Sequence, residues 1–167
     1  MAAVEVCDYD EGWSRTFESL AARIRPALGD LVERIEHVGS TAVPGLDARP
    51  IIDIDVVIKN GTQLQDAIAR LAAIGYQHEG DLGIRGREAF RQPASLPIHH
   101  LYVCARHARE LKRHLDFRDD LVWSKTLRSR YADLKRQLAV KFPNDRQAYV
   151  LGKSEFIERA LARENPA

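Results

Sequence analysis

Pro50-Ile51-Ile52-Asp53-Ile54-Asp55-Val56-Val57-Ile58 reads as one strand with two unlike faces. Strand side chains alternate with a period of two, so Ile52, Ile54, Val56 and Ile58 share one face and Asp53, Asp55 and Val57 the other. Carboxylates at i and i+2 stand on the same side, with Cα atoms roughly 6–7 Å apart. Aspartate is depleted in strands, and two like charges so placed repel each other. A cation bound between them would relieve that repulsion. The competing reading is a pair of solvated acids on a half-exposed strand.

Upstream, Leu31–Val38 is a short strand candidate that runs into the turn Gly39-Ser40-Thr41-Ala42-Val43-Pro44-Gly45. Before it, Trp13, Phe17, Leu20, Ala21, Ile24 and Leu28 recur at helical spacing, with Pro26 and Gly29 marking the end. Trp13 and Phe17 on that stripe read as core. Downstream, Asn60-Gly61 ends the acidic strand, and Thr62 caps a helix running to Ile74 with the stripe Leu64, Ala67, Ile68, Leu71 and Ala72. Gly75–His78 and Ala89–Gln92 are weaker strands around a bend at Gly80, Gly83 and Gly86, and Ile98–Cys104 is a firm one. From His107 the pattern is helical. Leu111, Leu115 and Leu121 mark one stripe, Leu127, Tyr131, Leu134 and Leu138 a second. Tyr149, Phe156, Ile157, Ala160 and Leu161 mark a third behind an Asn144 cap, with Glu164–Ala167 frayed. Strands early and helices late predict an α+β fold, a small mixed β-sheet with a C-terminal helical lobe. One domain over 1–167 is expected, its sheet part about 1–104 and its helical part about 105–163.

Composition narrows the function. The chain has 167 residues, 45% hydrophobic and 29% charged, with a formal net charge of +1. That excludes collagen-like, disulfide-scaffold and fully disordered classes. No apolar run approaches the ~20 residues of a membrane span. Met1–Tyr9 lacks the basic start of a signal peptide. Cys7 and Cys104 are the only cysteines, which suits two buried thiols in a cytoplasmic protein and no zinc site. The near-neutral total hides an asymmetry. Residues 1–104 hold 10 Lys/Arg against 15 Asp/Glu, and 105–153 hold 13 against 6. Basic helices facing an acidic sheet suggest a polyanionic ligand between them, or else simply helices with wet outer faces. Neutral overall charge and the absence of a nucleic-acid motif disfavour nucleic acid as the partner.

Chemistry gathers where the turn meets the acids. Asp53 and Asp55 are the expected metal ligands and catalytic carboxylates, with Mg²⁺ or Mn²⁺ as the cation, since magnesium takes one or two carboxylates plus phosphate oxygens and water. Gly39 lets backbone approach a phosphate, while Ser40 and its neighbours donate to the oxygens. Such a pairing of cation and donors suits phosphoryl or nucleotidyl transfer.

These residues carry a resemblance. Ile35-Glu36-His37-Val38-Gly39-Ser40-Thr41-Ala42-Val43-Pro44-Gly45-Leu46 and Arg49-Pro50-Ile51-Ile52-Asp53-Ile54-Asp55 closely resemble the signature of the GrpB family. So do His99-His100-Leu101-Tyr102-Val103, Leu115-x-Phe117-Arg118-Asp119, Tyr131-x-x-Leu134-Lys135 and Lys153. The resemblance runs from Val6 to Ile157. It implies the nucleotidyltransferase superfamily of DNA polymerase β-like fold, in which a Gly-Ser turn precedes an acidic pair. The implied ligand is a nucleotide or other phosphorylated small molecule. Some family members are fused to dephospho-CoA kinase, which points toward nucleotide metabolism without naming a substrate. A third carboxylate usually comes from a later strand, where this chain has His99-His100-Leu101-Tyr102 instead. Glu88 or His100 is then the candidate third metal ligand, and without either the fold would serve as an inactive nucleotide- or CoA-like-ligand-binding module.

The remaining candidates each have a structural rival. His37 either donates to a phosphate or locks the turn, and Thr41 helps the same turn. Arg49 meets a phosphate or pairs with Glu36 or Asp47. Arg87 and Arg91, around Phe90, form a lip over a nucleotide or face solvent. Lys135 and Lys153 bind substrate only if they project inward. His99 reads as a hydrogen-bonded ring beneath the sheet, and Tyr131 as core.

Overall fold

The computed structural model describes residues 3–163. The order is α1 (Gly12–Leu28), β1 (Val32–Val38), β2 (Ile52–Ile58), α2 (Leu64–Ala73), β3 (Gln77–Gly80), β4 (Arg87–Arg91), β5 (His99–Ala105), α3 (Arg109–Trp123), α4 (Lys125–Lys141) and α5 (Arg146–Arg163). Five strands form one sheet in the order β1-β2-β5-β4-β3. Only β2 and β5 run parallel; the other neighbours are antiparallel. This is the expected α+β architecture with helices gathered at the C-terminal end.

Alternation along β2 assigns the two faces of the sheet. Ile52, Ile54, Val56 and Ile58 bury with Leu20, Ile24 and Leu28 of α1 and Leu71 of α2 in the main core. At roughly 25 cal/mol per Å², each such side chain contributes about 1.5–3 kcal/mol by leaving water. Val57 faces the other way, where it packs with Cys104 and Leu111 under α3. Further cores join the turn residues Val43 and Leu46 to Leu121 and Tyr131 of the helical half, and Val4 to Leu138 and Tyr149. The basic helices are thus fastened to the acidic sheet through apolar contacts.

Several boundaries differ from the sequence reading, each for a local reason. Pro26 lies inside the last turn of α1, and Gly29, at φ 56°, ends the helix with its N–H on the Arg25 carbonyl. Asn60, not Thr62, caps the next segment: its side chain accepts from the Thr62 N–H at 3.1 Å and starts a 3₁₀ turn at Gly61–Gln63. β3 and β4 occupy Gln77–Gly80 and Arg87–Arg91, because the bend demands left-handed backbone at Gly80, Gly83 and Gly86. The α5 cap is Asp145 in place of Asn144, accepting from the Ala148 N–H at 2.9 Å. Cys104 is buried, whereas Cys7 is half-buried with its thiol on the Ala48 carbonyl at 3.3 Å. The expected fraying at Glu164–Ala167 falls outside the described residues. Among the described residues, no helix is long and apolar enough to cross a membrane.

Candidate functional site

β2 places Asp53 and Asp55 on the face opposite the main core, and the parallel register sets them beside His100 and Tyr102 of β5. Each acid meets a histidine. His100 Nδ1 lies 2.7 Å from Asp53 Oδ1, and His114 Nδ1, reaching over from α3, lies 2.7 Å from Asp55 Oδ2. Asp53 is partly open to solvent at 29% side-chain exposure, while Asp55 is fully buried. Burial pushes the Asp55 carboxyl above its ordinary range, against the pull of the His114 hydrogen bond. Burial would lower His114, yet its hydrogen bond to Asp55 and that carboxylate's charge raise it overall. The second Asp55 oxygen, Oδ1, is buried with no hydrogen-bond partner. An orphaned carboxylate oxygen of that kind is costly unless something binds it.

The turn presses directly on this pair. Gly39 has φ 72° and ψ −173°, a region open almost only to glycine. A Cβ there would overlap Asp53 Oδ2 and stand 3.1 Å from Asp53 Cβ. Gly39→Ala is expected to cost about 1–3 kcal/mol from backbone strain alone, read as a lowered denaturation midpoint, and to displace Asp53 as well. A variant as stable as wild type would refute the close approach.

A cavity of about 390 Å³ opens beside the pair, lined by Gly39, Ser40 and Asp53, by the paired Glu110 and Arg113, and by Arg87, Arg118 and Lys153. Arg87 lies 4.1 Å over the Tyr102 ring, and its Nε is buried without a partner. Arg118 is already engaged, donating to Glu36 at 2.9 Å and to the His37 carbonyl at 3.0 Å. Lys153 sits 4.6 Å from the Tyr149 ring; burial lowers its ammonium to about 8 despite the nearby Asp53. Lys135 lies deeper, donating to the Asp47 carbonyl over the Tyr131 face.

Other expected ligands stand elsewhere. His37 points to the α1 side, stacked on Phe17 at 4.6 Å, with Nε2 hydrogen-bonded to Thr41 at 3.0 Å. Burial lowers its pKa to about 4, so the ring is neutral. Thr41 is itself buried, so both residues brace the turn from behind and neither reaches a phosphate in the cavity. Arg91 pairs with Glu79 at 2.6 Å away from the cavity lining, which removes it from the lip. Arg49 makes neither expected ion pair, since Glu36 is taken by Arg34 and Arg118 and Asp47 by Arg136. Glu88 belongs to the opposite face with Phe90 and Val103 and binds His78 at 2.6 Å, so it supplies no third carboxylate. His100 is held to Asp53 as an orienting partner. Among the described residues no group of three His, Cys, Asp or Glu is arranged to hold a metal ion. His99 takes the predicted place, with Nε2 on Tyr76 at 2.8 Å.

Sequence reasoning missed His114 and Arg146. His114 lies one turn before the quoted Phe117-Arg118 pair, and that helical spacing was the available signal. Arg146 approaches His100 Nε2 at 3.4 Å from the first residue of α5.

The mixed sheet, with its acidic pair beside a glycine turn, has a nucleotidyltransferase-type fold, as one solved polymerase shows. A crystal structure of the Cid1 poly(U) polymerase bound to MgATP aligns with TM-score 0.50 over 78% of this chain and 45% of that one, at 10% identity. That likeness concerns the fold alone. The family model described as GrpB protein matches residues 3–163, and the chain belongs to the GrpB family. The crystal structure of the conserved protein GrpB from Enterococcus faecalis aligns with TM-score 0.83 and 30% identity, covering 96% of this chain and 99% of that one. The UPF0157 protein YqkA of Bacillus subtilis (strain 168) is 32% identical over 157 residues, which are 94% of this chain and 46% of that relative. The chain therefore spans about half the length of that relative.

Proposed function

We propose that the chain is a divalent-metal-dependent nucleotidyltransferase that binds a nucleoside triphosphate in the 390 Å³ cavity and passes its nucleotidyl group to an acceptor hydroxyl. The buried, unpartnered Asp55 Oδ1 next to Asp53 is the observation that carries this reading. The donor set fits one Mg²⁺ or Mn²⁺, with two carboxylates from the chain and the other positions left to phosphate oxygens and water. Such a cation would neutralise phosphate charge and lower the pKa of a bound hydroxyl. His100 and His114 hold the two carboxylates in place through their 2.7 Å bonds. Gly39 and Ser40 cradle the β- and γ-phosphates, and Arg87 and Lys153 offset charge at the cavity wall. The acceptor oxygen bonds to the α-phosphorus as the bond from that phosphorus to the bridging oxygen breaks. Pyrophosphate leaves with the electron pair, and the acceptor proton passes to solvent.

Calorimetric titration of ATP with MgCl₂ or MnCl₂ tests the site. Asp53→Asn and Asp55→Asn should each weaken metal-dependent nucleotide binding at least about tenfold, or 1.4 kcal/mol. Unchanged affinity in both variants would remove the carboxylates from the function. A second reading, an inactive module binding a nucleotide or CoA-like ligand, is favoured by the position of Glu88 on the far face. It predicts ligand-induced stabilisation without pyrophosphate release. Sustained pyrophosphate production that vanishes in Asp53→Asn would overturn it.

A further inference from the structure

We infer that Arg49, Arg146 and Lys153, backed by Lys135, form a subsite for a polyphosphate group that binds without a divalent cation. The inference deepens the nucleotidyltransferase reading and rests on it for taking the ligand to be a phosphate ester, but not on the carboxylate pair as metal ligands.

The cluster comes from three elements. Arg49 precedes β2, Lys135 lies on α4, and Arg146 and Lys153 stand seven residues apart on one face of α5. None of the four forms an ion pair with a carboxylate among the described residues, whereas the half-buried Arg70, Arg113 and Arg118 each do. Lys135 has only the Asp47 carbonyl and the Tyr131 face, Lys153 the Tyr149 face, and Arg146 the His100 ring at 3.4 Å. The first turn of α5 carries no acid to offset Arg146. Two carboxylates act on the group and each is already shared, Asp53 with His100 and Asp47 with Arg136.

The cations feel one another. Burial and then the charge of Arg146 lower Arg49; burial, Arg49 and Arg146 oppose the charge on Lys153; burial and then Lys153 oppose that on Lys135. Crowded cations that face only two shared carboxylates leave an electrostatic deficit, and a multiply charged oxyanion removes it. Guanidinium forks match phosphate oxygens in pairs, and the lysines add point charges. A single carboxylate or chloride brings too little charge, which selects a diphosphate or triphosphate. Lys153, alone of the four, also lines the cavity with Gly39, Ser40 and Asp53, and so joins the subsite to the proposed nucleotide position.

The test is calorimetric titration of the full chain with inorganic pyrophosphate in EDTA at fixed ionic strength. Wild type should bind, with sulfate weaker by about tenfold or more. Arg146→Gln, a change at an exposed residue that leaves the core untouched, should weaken pyrophosphate about tenfold, and Arg146→Lys should restore much of it. Asp53→Asn, which weakens metal-dependent nucleotide binding on the reading above, should leave metal-free pyrophosphate affinity unchanged or tighter. The subsite is refuted by absent pyrophosphate binding, by equal affinity for sulfate, by an unaffected Arg146→Gln, or by loss of metal-free binding in Asp53→Asn. A failure of Asp53→Asn to alter metal-dependent nucleotide binding would instead sink the transferase reading and leave the subsite standing.

Discussion

With His114 replaced by alanine, the folded state is expected to lose about 3–5 kcal/mol near pH 7, the usual cost of stripping one partner from a buried ion pair. Asp55 is fully buried, its Oδ1 already has no partner, and His114 supplies the hydrogen bond to its Oδ2. Without the imidazole the carboxyl must either stay charged in an apolar setting or capture a proton. The pH dependence separates this from simple loss of packing. Burial raises Asp55 above 3.8, so between 3.8 and its folded value the folded state keeps a proton that the unfolded state has released. Stability of the variant therefore rises as pH falls through that folded value toward 3.8, opposite to the behaviour of a salt-bridged aspartate. Urea denaturation at about pH 7 and pH 4.5 should show the deficit shrinking in acid, and His114→Gln should recover part of it. A deficit equal at both pH values would mean that His114 matters only as filler.

The second large effect lies at Lys135, which is 2% exposed. Burial, and then the charge of Lys153, lower its ammonium from 10.5 to about 7. Between those values the unfolded chain holds the proton and the folded chain does not, so stability increases with pH across that window. At 1.36 kcal/mol per pH unit, wild type should gain about 2–3 kcal/mol between pH 7 and pH 9 relative to Lys135→Met, whose slope lacks this group. His114 has the opposite sign: its raised value gives stability that is present below 6.5 and fades as pH rises through the folded value. It contributes equally to both proteins and cancels in the difference. Parallel stability curves for wild type and Lys135→Met would show that the amine keeps an ordinary affinity for protons in the fold.

The strands and helices were readable because their signals are local. Period two marks β2, helical stripes mark α1 to α5, and glycine clusters mark the bends. The facing of Asp53 and Asp55 followed from that period alone. What stayed hidden was partnership across the sheet and between layers. Glu88 looked usable as a ligand until the β4–β5 register put it beside Val103, on the wrong face. His37 sits two residues before the Gly39-Ser40 turn, yet one step of strand alternation sends it to Phe17 and Thr41. His114 lies 59 residues from Asp55, and only the seating of α3 over β2 brings them together. Arg49 had two plausible acids nearby in sequence, and arginines from α3 and α4 claim both.

The alternating faces of β2 also divide the risks of change. One step along the strand, from Ile54 to Asp53, crosses from a position where a substitution endangers the shape to one where it mainly alters the charged face. Drift on the charged side can redirect such a protein toward new ligands while the greasy side keeps it standing, so chemistry and architecture are free to evolve at separate speeds.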